Sequence, residues 1–296
     1  MGLITMIKFC VATDSGCDLP GAFCEERNIH VYRMKYYIGE EEYTDQMNPK
    51  DAIEFYNKMR EGAVPRTSQM TPHEFIEFWT HLYKEHNLPI VHIAMGSAIS
   101  GTYSNAVTAR DMFLEDHPEA KVFVVDSTLA SIGYGMLAIW AADMRDAGET
   151  PEACVEWLNN KKIHVNTYYT CDDLKYLYRS GRVSRAGATV GTILNINPIL
   201  NLNKEGRLIV QEKIRGRKKA FRRIYDIVEE LVIDPKEQTL YICHSDCKPE
   251  DVETFSKTLI ERIGFKDSFI SYISSTIGSH CGPGLIAAFF VGKPRF

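Results

Sequence analysis

Nowhere in its 296 residues does this chain carry the roughly 18 to 20 continuous apolar residues that a membrane span requires. Lipid, if the protein meets it, is therefore expected as a ligand rather than as a solvent. The first apolar stretch, Ile7 to Ala12, is short and lacks the basic leader and small-residue cleavage site of a signal peptide. Met6 stands where N-myristoylation needs Ser or Thr, and a cytoplasmic location is expected. Neither a Walker phosphate loop nor a strand-linked GxGxxG occurs, which argues against ATP binding by the chain itself. An excess of positive charge is missing too: 34 Lys and Arg face 39 Asp and Glu, and a net charge of -5 does not suit nucleic acid. No CxxC pair is present among the 8 cysteines. Cys243-His244-Ser245-Asp246-Cys247 groups three ligand types but has no second pair to complete a tetrahedral set, so no metal is expected. The thiols read as buried or incidental in a reducing compartment.

What is present is the composition of an ordinary globular protein, 45% apolar and 25% charged, at a length that suggests two domains. Strand-like runs at Lys8 to Ala12, Ile29 to Tyr37, Leu88 to Met95 and Val122 to Val125 alternate with helical segments. Asn48-Pro49 and Thr71-Pro72 are helix starts, the second with Glu74 placed for a capping box. Strand, turn and helix in repetition imply a parallel sheet covered on both faces. After residue 163 the strands become longer and more broken, and Asn203-Lys204-Glu205-Gly206 marks a hairpin between Ile199 to Leu202 and Arg207 to Lys213. The expected fold is α/β in two domains. Residues 1–162 form a three-layer α/β/α domain with a parallel sheet, and residues 163–296 a two-layer α/β domain with a mixed sheet.

Four segments pair small polar residues with glycine or proline: Thr13 to Gly16, Thr67 to Pro72, Gly96 to Thr102 and Gly278 to Gly284. Hydroxyls on glycine-flanked turns can approach a small anionic or carbonyl group closely, so one polar ligand head is expected among them. Asp14 reads as an Asx-turn residue or a ligand contact. Ser97 and Ser100 do not have the spacing of a nucleophile elbow. His280 reads as a general base, a donor to a carboxylate, or a histidine satisfied by its own turn. His92, inside an apolar strand, and His244 to Asp246, at a strand end, read as structural. Arg215-Gly216-Arg217-Lys218-Lys219 with Arg222 and Arg223 forms a local basic cluster.

These motifs occur together, in order, along nearly the whole chain: Thr13-Asp14-Ser15, Asp18-Leu19-Pro20, Thr67-Ser68-Gln69, Ser97 to Tyr103, and Val125-Asp126-Ser127. They continue with Leu174 to Leu177, Gly181-Arg182-Val183-Ser184, Asn197 to Leu200, Gly216 to Ala220 and Gly278 to Gly284. In this the sequence resembles the DegV family, bacterial fatty-acid-binding proteins, some of which present the bound acid to a separate fatty acid kinase for acyl-phosphate formation and phospholipid synthesis. The resemblance implies a non-catalytic carrier without cofactor, holding one long-chain fatty acid in a tunnel between its domains. It places the carboxylate on Thr67, Ser97 and His280, with Ser68 and Ser100 as further contacts. Two hydroxyls and an imidazole could satisfy a carboxylate without a fixed cation. The chain departs from the family pattern at Met70, Gly96 and Cys281, which alters the surroundings of these donors.

On that reading the apolar helix Ala186 to Leu194 either lines the acyl tunnel, with Gly191, Ile193, Leu194 and Ile196, or packs the core. Arg182, Arg215, Arg217 and Lys218 become candidates for docking an acidic kinase domain or, transiently, an anionic membrane surface. The alternative is a serine-dependent acyl ester hydrolase, with Ser97 or Ser100 as nucleophile and His280 as base. A third reading makes the lipid a permanent part of the fold.

Overall fold

The computed structural model describes residues 7–183 and 196–296. Gly191, Ile193 and Leu194, with the whole segment 186–194 expected to be an apolar helix, lie outside the described residues. The first half contains β1 (Cys10–Asp14), α1 (Gly21–Glu26), β2 (Ile29–Tyr32), β3 (Lys35–Ile38), β4 (Glu41–Thr44), α2 (Pro49–Arg60) and β5 (Arg66–Thr67). It continues with α3 (Pro72–His86), β6 (Ile90–Ala94), α4 (Thr102–Asp116), β7 (Val122–Asp126), α5 (Ile132–Asp146) and α6 (Pro151–Lys161). The second half contains β8 (Val165–Thr170), α7 (Lys175–Arg179), β9 (Ile196–Leu202), β10 (Leu208–Arg215) and α8 (Arg217–Leu231). It ends with β11 (Thr239–His244), α9 (Pro249–Ile263), β12 (Asp267–Tyr272), α10 (Ser275–Cys281) and β13 (Ile286–Val291). No described helix is long and apolar enough to cross a membrane.

A four-stranded parallel sheet in the order β2-β1-β6-β7 forms the centre of the first half. Its two faces are separated by the alternation of each strand. Cys10, Ala12 and Ile90 pack against Phe75, Trp79 and Phe113 of α3 and α4. Val11, Val91 and Ile93 face the opposite way, into a cluster that includes Leu137 and Ala138 of α5. The capping box expected at Thr71 and Glu74 is formed, and it fixes where α3 starts.

The second half is built on a six-stranded mixed sheet in the order β10-β9-β8-β13-β11-β12. β11 and β12 run parallel, and the other pairings are antiparallel. Ile286, Ala288 and Phe290 turn one face of β13 toward Phe221 and Phe255 of α8 and α9. Ala287 and Phe289 point the other way, into the same buried cluster as the α5 side of the first sheet. Arrangement and sheet types are those of the expected α/β fold.

Two local expectations are corrected. Ile29 to Tyr37 is not one strand: β2 stays in the parallel sheet, whereas β3 leaves it to form a three-stranded antiparallel sheet in the order β4-β3-β5. The split is fixed by Ser15, whose hydroxyl accepts the Met34 N–H at 3.0 Å, and β3 then pairs with β4 across a tight turn with Gly39 at φ +62°. This small sheet holds Thr67, opposite Tyr36, in the site described below. The second correction concerns Gly278 to Gly284, expected as a turn. Ser275–Cys281 is helical, started by the Ser274 hydroxyl accepting the Ile277 N–H at 3.3 Å and ended at Gly282.

Candidate functional site

A cavity of about 170 Å³ opens where the two sheets meet. Its polar wall comes from three of the four hydroxyl-rich segments: Thr67 at the end of β5 with Ser68 and Gln69 after it, Ser100 and Thr102 at the start of α4, and His280 on α10. The fourth segment is absent from the lining and supports the site from behind. The Thr13 hydroxyl donates to the Ile93 carbonyl at 2.9 Å, and the buried Asp14 carboxylate accepts the Gly16 N–H at 2.9 Å and the Tyr134 hydroxyl at 2.6 Å. Asp14 is thus an Asx-turn residue, and burial pushes its carboxyl up to about 6.

Helix α10 is docked onto the first half by polar bonds from residues remote in sequence. Asp18 accepts the Ser274 N–H at 2.8 Å and the Ser131 hydroxyl. The Tyr56 hydroxyl donates to the Ile273 carbonyl at 2.8 Å. Desolvation raises the Asp18 carboxyl to about 7, and its hydrogen bonds act against that rise. These contacts set the azimuth of α10 and so aim His280 at Thr67.

Nε2 of His280 lies 2.9 Å from the Thr67 hydroxyl oxygen. Burial, with the positive field of Arg182 and Arg179, holds the imidazole down to about 4, so it is neutral at pH 7. A neutral imidazole carries one N–H and threonine one O–H, yet their mutual bond uses only one of these protons. Either the Thr67 hydroxyl or the His280 Nδ1–H is left to donate, and Nδ1 has no partner. The pair is therefore a donor awaiting an acceptor.

Ser100 and Thr102 exchange a 2.8 Å hydrogen bond at the start of α4, a 15-residue helix whose N-terminal end favours negative charge. Arg182 also lines the cavity, and its NH1 donates to the Ser180 carbonyl at 2.6 Å. Burial lowers its guanidinium from the ordinary arginine value. A half-buried arginine thus stands on the wall of the cavity.

Ser97 is exposed and is not on the lining: its hydroxyl donates to Asp126 at 2.6 Å and its N–H at 3.1 Å. The hydrogen-bonded partner of His280 is Thr67, not Ser97 or Ser100. Ile196 starts β9 and also lies off the lining. Arg215 and Lys218 are exposed. Arg217 is instead anchored within the protein, donating to Asp172, Asp251 and the Gly284 carbonyl, each at 2.8 Å. His92 accepts from Trp79 at 3.3 Å in the core, in keeping with a structural role.

The inner wall is the front face of the six-stranded sheet. Pairing of Thr167 with Phe289 and of Tyr169 with Ala287 puts these four on one side, and Leu202 and Leu285 extend the apolar surface. The hydroxyls of Thr167 and Tyr169 have no hydrogen-bond partner. The sequence contained no sign of this wall, because the alternation in β8 reads polar and aromatic rather than apolar. Thr102 and Arg182 were also not foreseen as head-site residues, although both stand in quoted motifs.

The chain as a whole has many counterparts among known proteins. A family model described as an uncharacterised protein of the DegV family matches residues 8–293. A DegV domain-containing protein of Clostridium perfringens is 38% identical over 294 residues, 98% of this chain and 99% of that protein. Among solved structures, a DegV described as a fatty acid binding protein from Bacillus subtilis superposes with a TM-score of 0.83 at 28% identity, covering 97% of this chain and all of that one. A Thermotoga maritima protein described as revealing fatty acid binding function gives 0.82 at 27% identity, over 97% of this chain and 100% of that one. With a family model spanning nearly its full length and a relative this similar from end to end, the chain belongs to the DegV family.

Proposed function

We propose that the protein binds one long-chain fatty acid in this cavity, between units formed by residues 1–162 and 163–296. The observation that carries the proposal is the Thr67–His280 pair: it has one donor proton more than its own bond consumes, at the more polar end of a mainly apolar cavity. A carboxylate buried without donors is heavily penalised, so the head group belongs at this end. Thr67, His280, Ser100 and Thr102 hold the carboxylate, with Arg182 supplying charge and Ser68 standing at the mouth. Ser97 acts through Asp126 on the loop that presents Ser100. The acyl chain runs over Phe289, Ala287, Leu202 and Leu285, each buried methylene contributing about 0.8 kcal/mol. Affinity comes from the tail and orientation from the head.

The carrier reading is supported by descriptions of relatives at 27–28% identity as fatty-acid-binding. Native mass spectrometry of the purified protein is expected to show one bound fatty acid, released on denaturation and replaceable by added fatty acid. A protein that is empty and takes up none overturns the proposal.

We further propose that the bound acid is presented, without turnover by this chain, to a fatty acid kinase that forms the acyl phosphate. Exposed Arg215 and Lys218 form the docking surface. Reversing both charges is expected to reduce kinase turnover of the bound acid by about tenfold, roughly 1.4 kcal/mol, while lipid binding is retained. Equal loss in both assays removes the docking role.

A further inference from the structure

A second group of side chains, away from the lipid cavity, has the composition and spacing of a metal site. Cys10 opens β1, His30 lies on the neighbouring strand β2, and His86 is the last residue of α3, which crosses that edge of the sheet. The Cys10 sulfur and one ring nitrogen from each histidine all lie within 4.8 Å of one another. Cys10 is buried and both histidines are half-buried. The imidazoles pack with ring centroids 5.0 Å apart and a tilt of 48°. Nε2 of His86 is buried and has no hydrogen-bond partner. None of the three residues lines the lipid cavity.

We propose that Cys10, His30 and His86 bind a zinc ion, with a water molecule in the fourth position. One thiolate and two imidazoles, completed by water, form a tetrahedral set suited to borderline-soft Zn(II). The neighbouring Glu85 carboxylate lies 3.5 Å from His81 Nε2 and 3.9 Å from His86 Nε2, and is outside the group of mutually close ligand atoms. Zinc bonds of about 2.0 to 2.3 Å place tetrahedral ligands some 3.3 to 3.8 Å apart, so the side chains draw in by about 1 Å on binding. His86 ends a 15-residue helix, where the carbonyl ends of the helix favour a cation. Arg145 is the nearby positive group, and its guanidinium is engaged by the carbonyls of Arg27 and Asn28 and by Asp146. Zinc in this position ties β1, β2 and α3 together. Residues so far apart in sequence leave no spacing motif.

The test uses the full chain, free of any histidine tag, titrated with Co(II) alone as a spectroscopic probe. One equivalent is expected to bind with a thiolate-to-cobalt charge-transfer band and the intense visible bands of tetrahedral cobalt, and Zn(II) is expected to displace it. Cys10→Ser abolishes the charge-transfer band, and His86→Gln, at a half-exposed helix end that tolerates the change, weakens cobalt binding. Cys154→Ser, which alters another buried thiol, changes neither. Absence of stoichiometric cobalt, a thiolate band surviving Cys10→Ser, or unchanged affinity in His86→Gln overturns the proposal.

Discussion

Replacing His280 by alanine is expected to lower fatty-acid affinity by roughly 10- to 100-fold, the loss of one charge-assisted hydrogen bond of about 1.5 to 3 kcal/mol. The substitution removes the partner of Thr67 and the imidazole itself from the head end, and leaves the inner wall intact. Acyl-length preference, set by that wall, should therefore be the same in the variant. The measurement is a competition series of saturated acids of increasing length against wild type and His280→Ala. A change in length preference with unchanged overall affinity would place the head group elsewhere.

The same variant carries a pH signature. His280 titrates at about 4 in the folded protein against an ordinary value of 6.5, chiefly because burial disfavours its charged form. Unfolding below pH 6.5 thus takes up a proton at this site, and its contribution to stability is lost as the pH falls from 6.5 toward 4. His280→Ala should show a shallower loss of thermal stability over that interval than wild type. Parallel curves would mean that the histidine titrates normally in the folded protein.

Gly282→Ala is expected to destabilise the protein by about 3 kcal/mol or more. Gly282 ends α10 at φ 70° and ψ 176°, a backbone region that residues with a side chain scarcely occupy. A Cβ built there falls onto the Tyr176 ring, so the cost of the dihedral angles and that of the overlap add. The control is Gly264→Ala. That glycine ends α9 at φ +86° with nothing within 4 Å of its Cβ position, so only the backbone cost of about 1 kcal/mol applies. Denaturant unfolding of both variants decides the matter: the Gly282 effect should be at least twice the Gly264 effect, and equal effects would exclude the ring overlap. Because Gly282 lies two residues after His280, the variant should also bind fatty acid more weakly at temperatures where it is fully folded.

How much of this was legible beforehand depended on whether the signal was local. Thr71 with Glu74 is a capping box in the sequence and in the structure, because all its atoms lie within one helical turn. The hairpin at Asn203 to Gly206 was equally plain. The helix Ser275–Cys281 was hidden because glycine, serine and threonine are weak helix formers, and what holds it is the remote set Asp18, Tyr56 and Asp45. The run Ile29 to Tyr37 gave no sign of its break, which a hydroxyl from Ser15 fixes from another element.

By itself the sequence determined the class of fold, the alternation of strands and helices around the first sheet and the family, since hydrophobic period, turn chemistry and motif order are written along the chain. Only the tertiary structure decided which hydroxyls meet. Thr67 and His280 are 213 residues apart and 2.9 Å distant, Ser97 turns to Asp126 while Ser100 faces the cavity, and Arg182 enters the wall while Arg217 is consumed in holding the fold. A residue's type limits the bonds it can make, but its partner is selected by packing between two sheets, and no local pattern encodes that choice.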